Sequence, residues 1–326
     1  MLFRSTAQPV DVRERATRDC RPDLREARVV RVSEYQVTSA VGNDRLTGLI
    51  RNWSFIRSRP TPTVRLARLK TAATGLRSAP PSQVLRPLVR RDRWNVYFMY
   101  LPDGRLTSAH RYTLSRLRIL HGGLFVICAA PQPAMVPPEL LAVCDAAIWK
   151  GTSGYDFSAY SLAMREVARS SPGADVLLMN DSVLGPFGDI DDVLRTTPWR
   201  VTGFTAWSAF EHHVQSYALL LRDVTPDLIR GLRTVLLERT AFNRFQDVVN
   251  WQESRLARVA SRTMSVGALW FEPEFEAGDP SLVRAASLLR AGFPFLKRSL
   301  VGGKLAHRAD QATLHRWLDE RGHPPL

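Results

Sequence analysis

The apolar run Val176-Leu177-Leu178-Met179 stops abruptly at Asn180-Asp181-Ser182, and Gly185-Pro186 follows. That is how an α/β chain finishes a buried parallel strand. Ligands bind in the crevice outside the carboxyl ends of such strands. Asp181 therefore has two readings. Either it holds a metal ion, a ribose hydroxyl or a sugar hydroxyl, or it caps the next turn through its own backbone, as Asp does before Gly-Pro.

The neighbouring pattern extends the α/β reading. Residues 95–100, 124–129 and 146–149 read as three strands before the one ending at Asn180. Between them, Tyr112, Leu114, Leu117 and Leu120 form a helical stripe, and Asp156 is expected to N-cap a helix with Tyr160, Met164 and Val167 on one face. Strand and helix in this alternation predict a mostly parallel, Rossmann-type sheet flanked by helices. Two more strands are expected over 201–205 and 214–221. Helices are expected over 226–239, 248–262, 281–289 and 309–321, giving a helical C-terminal part. No GxGxxG or GxxxxGK[ST] occurs, which argues against a dinucleotide enzyme and a P-loop NTPase.

Composition sets the remaining bounds. With 45% hydrophobic and 23% charged residues, the chain has the balance of a globular protein with a sizeable core. No apolar run approaches the roughly 18 residues of a membrane span. Met1-Leu2-Phe3-Arg4 lacks a signal peptide's apolar core, so a cytoplasmic location is expected. Cys20, Cys128 and Cys144 form no CxxC and no Cys/His cluster, which speaks against a disulfide framework or structural zinc.

The net charge of +14 is lopsided: residues 1–93 hold 20 Arg/Lys and 8 Asp/Glu, and from Arg45 to Arg91 there are 11 basic residues and no acidic one. This defines two regions. Residues 1–93 form a basic N-terminal arm, expected to be partly disordered over 1–45, and residues 94–326 form the α/β domain. Within the arm, Leu46, Leu49, Ile50, Trp53 and Ile56 fall at helical spacing, and Val64, Leu66, Leu69, Ala73 and Leu76 make a second apolar set. A basic amphipathic helix lies in an anionic membrane interface, or packs on its own domain or a second copy. No nucleic-acid motif is present, so nucleic acid is not an expected partner.

Four short motifs occur in order: Gly154-Tyr155-Asp156-Phe157, Asn180-Asp181-Ser182 with Gly185-Pro186, His213-Val214-Gln215-Ser216-Tyr217, and Pro294-Phe295-Leu296-Lys297-Arg298. Together, over roughly residues 94–300, they make the chain resemble the rhamnan synthesis protein F family. The resemblance implies a GT-A-like fold and an inverting glycosyltransferase of the hexosyltransferase type. It also implies work on bacterial cell-surface polysaccharide, a nucleotide-sugar donor such as deoxythymidine-diphosphate-rhamnose, and a glycan or lipid-linked acceptor. Nothing in the residues selects rhamnose. With the basic arm, this points to a peripheral position at the inner face of the plasma membrane. The alternative is a non-catalytic scaffold of polysaccharide assembly that keeps the α/β shell.

Glycosyl transfer from a nucleotide sugar needs a diphosphate site, stabilisation of an oxocarbenium-like centre, and a base for the acceptor hydroxyl. Many GT-A enzymes hold a divalent ion with an Asp-x-Asp pair. Here only Asp181 stands at that point, between Asn180 and Ser182. Mg²⁺ or Mn²⁺ held by Asp181 remains open, because one carboxylate plus phosphate oxygens and waters suffices. Asp181 and His213 are the candidate catalytic residues. Lys150, Gly154, Asp156, Asn180, Ser182, Gln215 and Lys297 are the candidate donor contacts. With His212 and His213 leading into the 214–221 strand, unbroken alternation would put His213, Gln215 and Tyr217 on one face. Glu253 reads either as the base or as a surface carboxylate.

Overall fold

A computed structural model describes residue 46 and residues 48–325. The expectations for residues 1–45, and for Cys20, lie outside the described residues.

The strands are β1 (Ile50–Ser54), β2 (Leu76–Ser78), β3 (Ser82–Arg86), β4 (Arg93–Tyr100), β5 (Gly123–Ala129), β6 (Ala146–Lys150), β7 (Ala174–Asn180), β8 (Val183–Leu184), β9 (Val201–Ser208), β10 (His212–Val214), β11 (Ala218–Val224), β12 (Thr240–Phe242), β13 (Val266–Glu272) and β14 (Leu296–Lys297). The helices are α1 (Pro62–Thr74), α2 (Ser108–Arg118), α3 (Pro138–Val143), α4 (Tyr155–Ser170), α5 (Asp191–Thr196), α6 (Pro226–Leu232), α7 (Phe245–Val248), α8 (Ser254–Ala260), α9 (Pro280–Val283), α10 (Ala285–Arg290) and α11 (Gln311–Asp319). A single π-helical turn, Val249–Glu253, joins α7 to α8.

The central sheet has the order β1-β13-β9-β11-β7-β4-β5-β6-β3, with β10 hairpinned onto β9. Strands β4, β5, β6, β7, β9 and β13 all run one way. Strand β11 is inserted antiparallel between β7 and β9, and β1 and β3 close the edges antiparallel. The fold is thus α/β with a largely parallel sheet. Period-two alternation assigns each buried strand to two layers. Val96, Phe98, Val176 and Leu178 face Phe157, Met164 and Val167 of α4 and Leu256 of α8. Tyr97, Met99, Leu177 and Met179 face Leu114 and Leu117 of α2 and Leu288 of α10. A smaller cluster seats α11 through Leu314 and Leu318 against Phe187 and Leu300.

Three local expectations are corrected. Residues 46–56 do not form an amphipathic helix: Ile50–Ser54 is the edge strand β1, paired with β13. Trp53 points inward and stacks on Phe271 at 4.0 Å between ring centroids. The three-and-four spacing suits a helix, but pairing with the open edge of β13 satisfies the backbone and overrides it. The 214–221 strand is broken. Its ladder to β9 slips between Val214↔Ala206 and Leu219↔Gly203, leaving Ser216 and Tyr217 as extra residues in a bulge. The N-cap of α4 is Gly154, at φ 87, and Asp156 lies inside the first turn. A Cβ at Gly154 would sit 2.7 Å from Ser158 Oγ, so the turn needs glycine on two counts. Among the described residues, no helix is long and apolar enough to cross a membrane.

Candidate functional site

The parallel strands deliver Tyr100, Lys150 and Asn180-Asp181 to one end of the sheet, and the β10–β11 bulge brings Tyr217 O to the Asn180 N–H and Ser216 to Asp156. The polar turn expected of Asp181 is made by Asn180 instead. Asn180 Oδ1 accepts from Ser182 N at 3.1 Å and from Ser182 Oγ at 2.5 Å. Asp181 is thereby released to reach sideways. Its Oδ2 accepts the Tyr100 N–H at the end of β4, 2.8 Å away.

The other neighbour of Asp181 was not legible in the sequence. His110, buried in α2, sits with Nε2 3.6 Å from Asp181 Oδ2. His110 Nδ1 accepts the Thr107 N–H in a capping box, which leaves Nε2 as the ring nitrogen facing Asp181. The Thr107-x-x-His110 spacing is the one local signal that could have placed it.

Asp156 and Asn180 meet directly: Asn180 Nδ2 donates to Asp156 Oδ2 at 3.0 Å, and Ser216 Oγ lies 3.4 Å from the same oxygen. Asp156 Oδ1 accepts the N–H of Phe157. Burial of this carboxyl, with negative Glu253 nearby, raises its pKa to about 6. Glu253 is not a surface carboxylate. The π-helical turn directs it inward, where Oε1 accepts the Ser216 N–H at 2.9 Å.

Lys150 is 0% exposed. Its Nζ donates to Ser153 O at 2.7 Å and lies 5.3 Å from the Phe98 ring centre. Burial lowers its pKa to about 8, against the opposing pull of Asp156. It therefore ties down the loop that leads to Gly154, whose N–H in turn donates to Asn243 Oδ1.

The last motif folds back onto the second. Strand β14 pairs Lys297 with Val183, and the Arg298 N–H donates to Ser182 O at 2.9 Å. Lys297 Nζ lies 4.1 Å from the centre of the Tyr217 ring. Below it, Tyr217 Oη and Gln215 Oε1 converge on Thr205 Oγ1, and Gln215 Nε2 donates to Asp279 Oδ2 at 2.7 Å. Gln215 thus braces the floor under Lys297.

His213 stands apart from this group. It is buried in β10, with Nδ1 3.1 Å from Glu211 O and its ring beside Trp207. The acidic stretch Asp189, Asp191 and Asp192 belongs to the opposite end of the sheet. There Asp191 pairs with Arg93 at the start of β4 and accepts the His121 N–H.

Among the described residues, no group of three or more His, Cys, Asp or Glu converges for a metal ion. The strand end instead offers Asp181, with one oxygen engaged by Tyr100. That fits a cation drawing its other ligands from a diphosphate and water, and not a ready-made protein cage.

No family model matches the chain, and no curated protein matches it. The resemblance to the rhamnan synthesis protein F family therefore remains a proposal. Among solved structures, the chain is similar to a proposed nucleotide-diphospho-sugar transferase from Desulfovibrio desulfuricans G20, at 14% identity over 69% of this chain and 95% of that one, with a TM-score of 0.31. It is also similar to 4-diphosphocytidyl-2C-methyl-D-erythritol synthase from Anaerococcus prevotii DSM 20548, at 11% identity over 61% and 97%, with a TM-score of 0.36. A third is S. aureus TarS, at 9% identity over 70% and 42%, with a TM-score of 0.35. At such overlap none of the three bears on which residues act, or on what.

Proposed function

We propose that the chain is a glycosyltransferase moving a sugar from a nucleotide-diphosphate donor to a growing surface glycan, with inversion. The site residues all lie within 94–326; the residues before them also supply the edge strands β1 and β3 of the same sheet, and in this reading their exposed basic side chains face the inner surface of the plasma membrane. The observation that carries the reading is the backbone pairing of Lys297 with Val183 and of the Arg298 N–H with Ser182 O, which brings two basic residues to the strand end that carries Asp181. A carboxylate and two basic side chains at a parallel strand end form a place for a diphosphate.

In this reading Asp181 would hold Mg²⁺ or Mn²⁺ together with the donor diphosphate; such an ion neutralises charge on the leaving group. Lys297 and Arg298 bind the same diphosphate. Asp156, Asn180 and Ser182 contact the sugar or nucleoside, and Gly154 and Lys150 hold the loop that bounds it. Glu253 takes the acceptor hydroxyl's proton: one of its oxygens is fixed by Ser216 and the other has no partner among the described residues. His213, buried apart from this group with Nδ1 3.1 Å from Glu211 O, orders the turn into β10 in this reading.

The donor half is tested by titration calorimetry of UDP, dTDP and GDP with Mg²⁺. We expect one nucleoside diphosphate to bind, and Asp181→Asn and Lys297→Gln each to weaken it about tenfold or more. Equal binding by both variants would refute the site.

A further inference from the structure

Helix α1 is built inside out. Its buried positions are Arg68 and Thr71, while Leu66 and Leu69 are 69% and 66% exposed. The inward side is fixed by polar contacts. Arg68 pairs with Glu211 at 2.5 Å and donates to Ser254 Oγ at 2.8 Å and to Asn250 O at 2.9 Å; Thr71 Oγ1 donates to Asp247 Oδ1 at 3.1 Å. At 100° per residue, the side opposite Arg68 carries Pro62, Leu66, Leu69 and Ala73 in one ridge, with Arg65 and Lys70 on its flanks. The segment entering the helix adds exposed Ile56, Arg57 and Arg59.

A helix that buries an arginine and turns two leucines outward has its apolar face directed at something other than its own core. The flanks identify the occupant. From Arg45 to Arg91 the sequence has 11 basic residues and no acidic one. An apolar ridge bordered by long cationic side chains matches a lipid surface carrying anionic head groups. The leucines enter the acyl boundary, and the Arg and Lys stems extend along it to place their charges at head-group level.

We propose that the outer ridge of α1 docks the protein on an anionic membrane surface, with Leu66 and Leu69 inserted and Arg65 and Lys70 at the phosphates. Because Arg68 fastens α1 to the turn before β10, to the π-helical turn and to α8, docking would hold the transferase unit in a fixed orientation to the lipid. The proposal does not depend on the donor site. Turnover of a soluble acceptor should be unchanged when docking is lost, so the two ideas fail separately.

The test is flotation of the full chain with phosphatidylcholine vesicles, with and without phosphatidylglycerol. We expect binding only when phosphatidylglycerol is present, falling as salt rises. The double variant Leu66→Ser/Leu69→Ser, which leaves every charge in place, should bind at least tenfold more weakly with its melting temperature unchanged. Arg65→Ala/Lys70→Ala should lose the preference for the anionic lipid. No binding of the wild type, or equal binding by the serine variant, would overturn the proposal. So would a serine variant that dissociates a dimer in light scattering, which would make the ridge an interface between copies. A marked fall in the serine variant's melting temperature would also overturn it, by showing that the chain itself covers the ridge.

Discussion

Replacing Asp156 by Asn gives a prediction whose size follows from the site. Burial and the nearby Glu253 carry the Asp156 pKa from an ordinary 3.8 to about 6. The folded protein then holds this proton more tightly than the unfolded chain. The stability from this group is fully present below about pH 4 and is lost as pH climbs through about 6. The full shift corresponds to about 3 kcal/mol, an upper bound because the residue is partly exposed. Between about pH 4.5 and about pH 7.5, roughly 2 kcal/mol of it should disappear from the wild type and not from the variant. Asn also loses one hydrogen bond, because its amide would face the Asn180 amide. That cost, about 1 kcal/mol, is the same at both pH values and cancels in the comparison. Urea unfolding of both proteins at the two pH values reads the difference directly. The variant should gain roughly 2 kcal/mol on the wild type on going to the higher pH. A gap that does not change with pH would show Asp156 to titrate as an ordinary surface carboxylate, and a gap moving the other way would show a stabilised anion. Either result refutes the account of this site.

Other consequences are equally specific. Glu253→Gln keeps an acceptor for the Ser216 N–H, so the protein should stay folded while turnover falls about 10²–10⁴-fold; unchanged turnover at saturating donor would remove Glu253 from the chemistry. Glu211→Gln takes a fully buried carboxylate from between Arg68 and Arg258. It should cost about 3–5 kcal/mol in chemical unfolding, against less than 1 kcal/mol if the cluster is solvated. Trp53→Ala should cost about 3–5 kcal/mol, since Trp53 is the buried residue of β1 and stacks on Phe271; a loss no larger than that of Ile50→Ala, at an exposed position, would mean that β1 does not hold the sheet edge.

The strands that carry the site were legible because each alternates between two buried layers and ends in polar residues, as Val176–Asn180 does. What escaped the sequence depends on contacts between distant residues. The segment around Trp53 has a spacing that suits a helix, and only the open edge of β13 makes it a strand. Continuous alternation through His213, Gln215 and Tyr217 hid the bulge that turns Ser216 toward Asp156. His110 meets Asp181 across 71 positions of chain, and no local pattern announces such a pairing. Lys297 is a candidate donor contact from the sequence, but its place in the fold is not legible there: only the pairing of β14 with β8 brings Lys297 and Arg298 to Val183 and Ser182.

The central claim is that Asp181 and the basic residues paired to the same strand end serve a nucleotide-sugar donor. Its most direct test is turnover of a panel of nucleotide sugars with Mg²⁺, with Mn²⁺ and without either, comparing wild type with Asp181→Ala in the presence of glycan and lipid-linked acceptors. The account predicts release of nucleoside diphosphate from one donor and its loss in the variant. No release from any donor by folded wild-type protein, or equal release by Asp181→Ala, would contradict it, and the first of these would favour a non-catalytic scaffold.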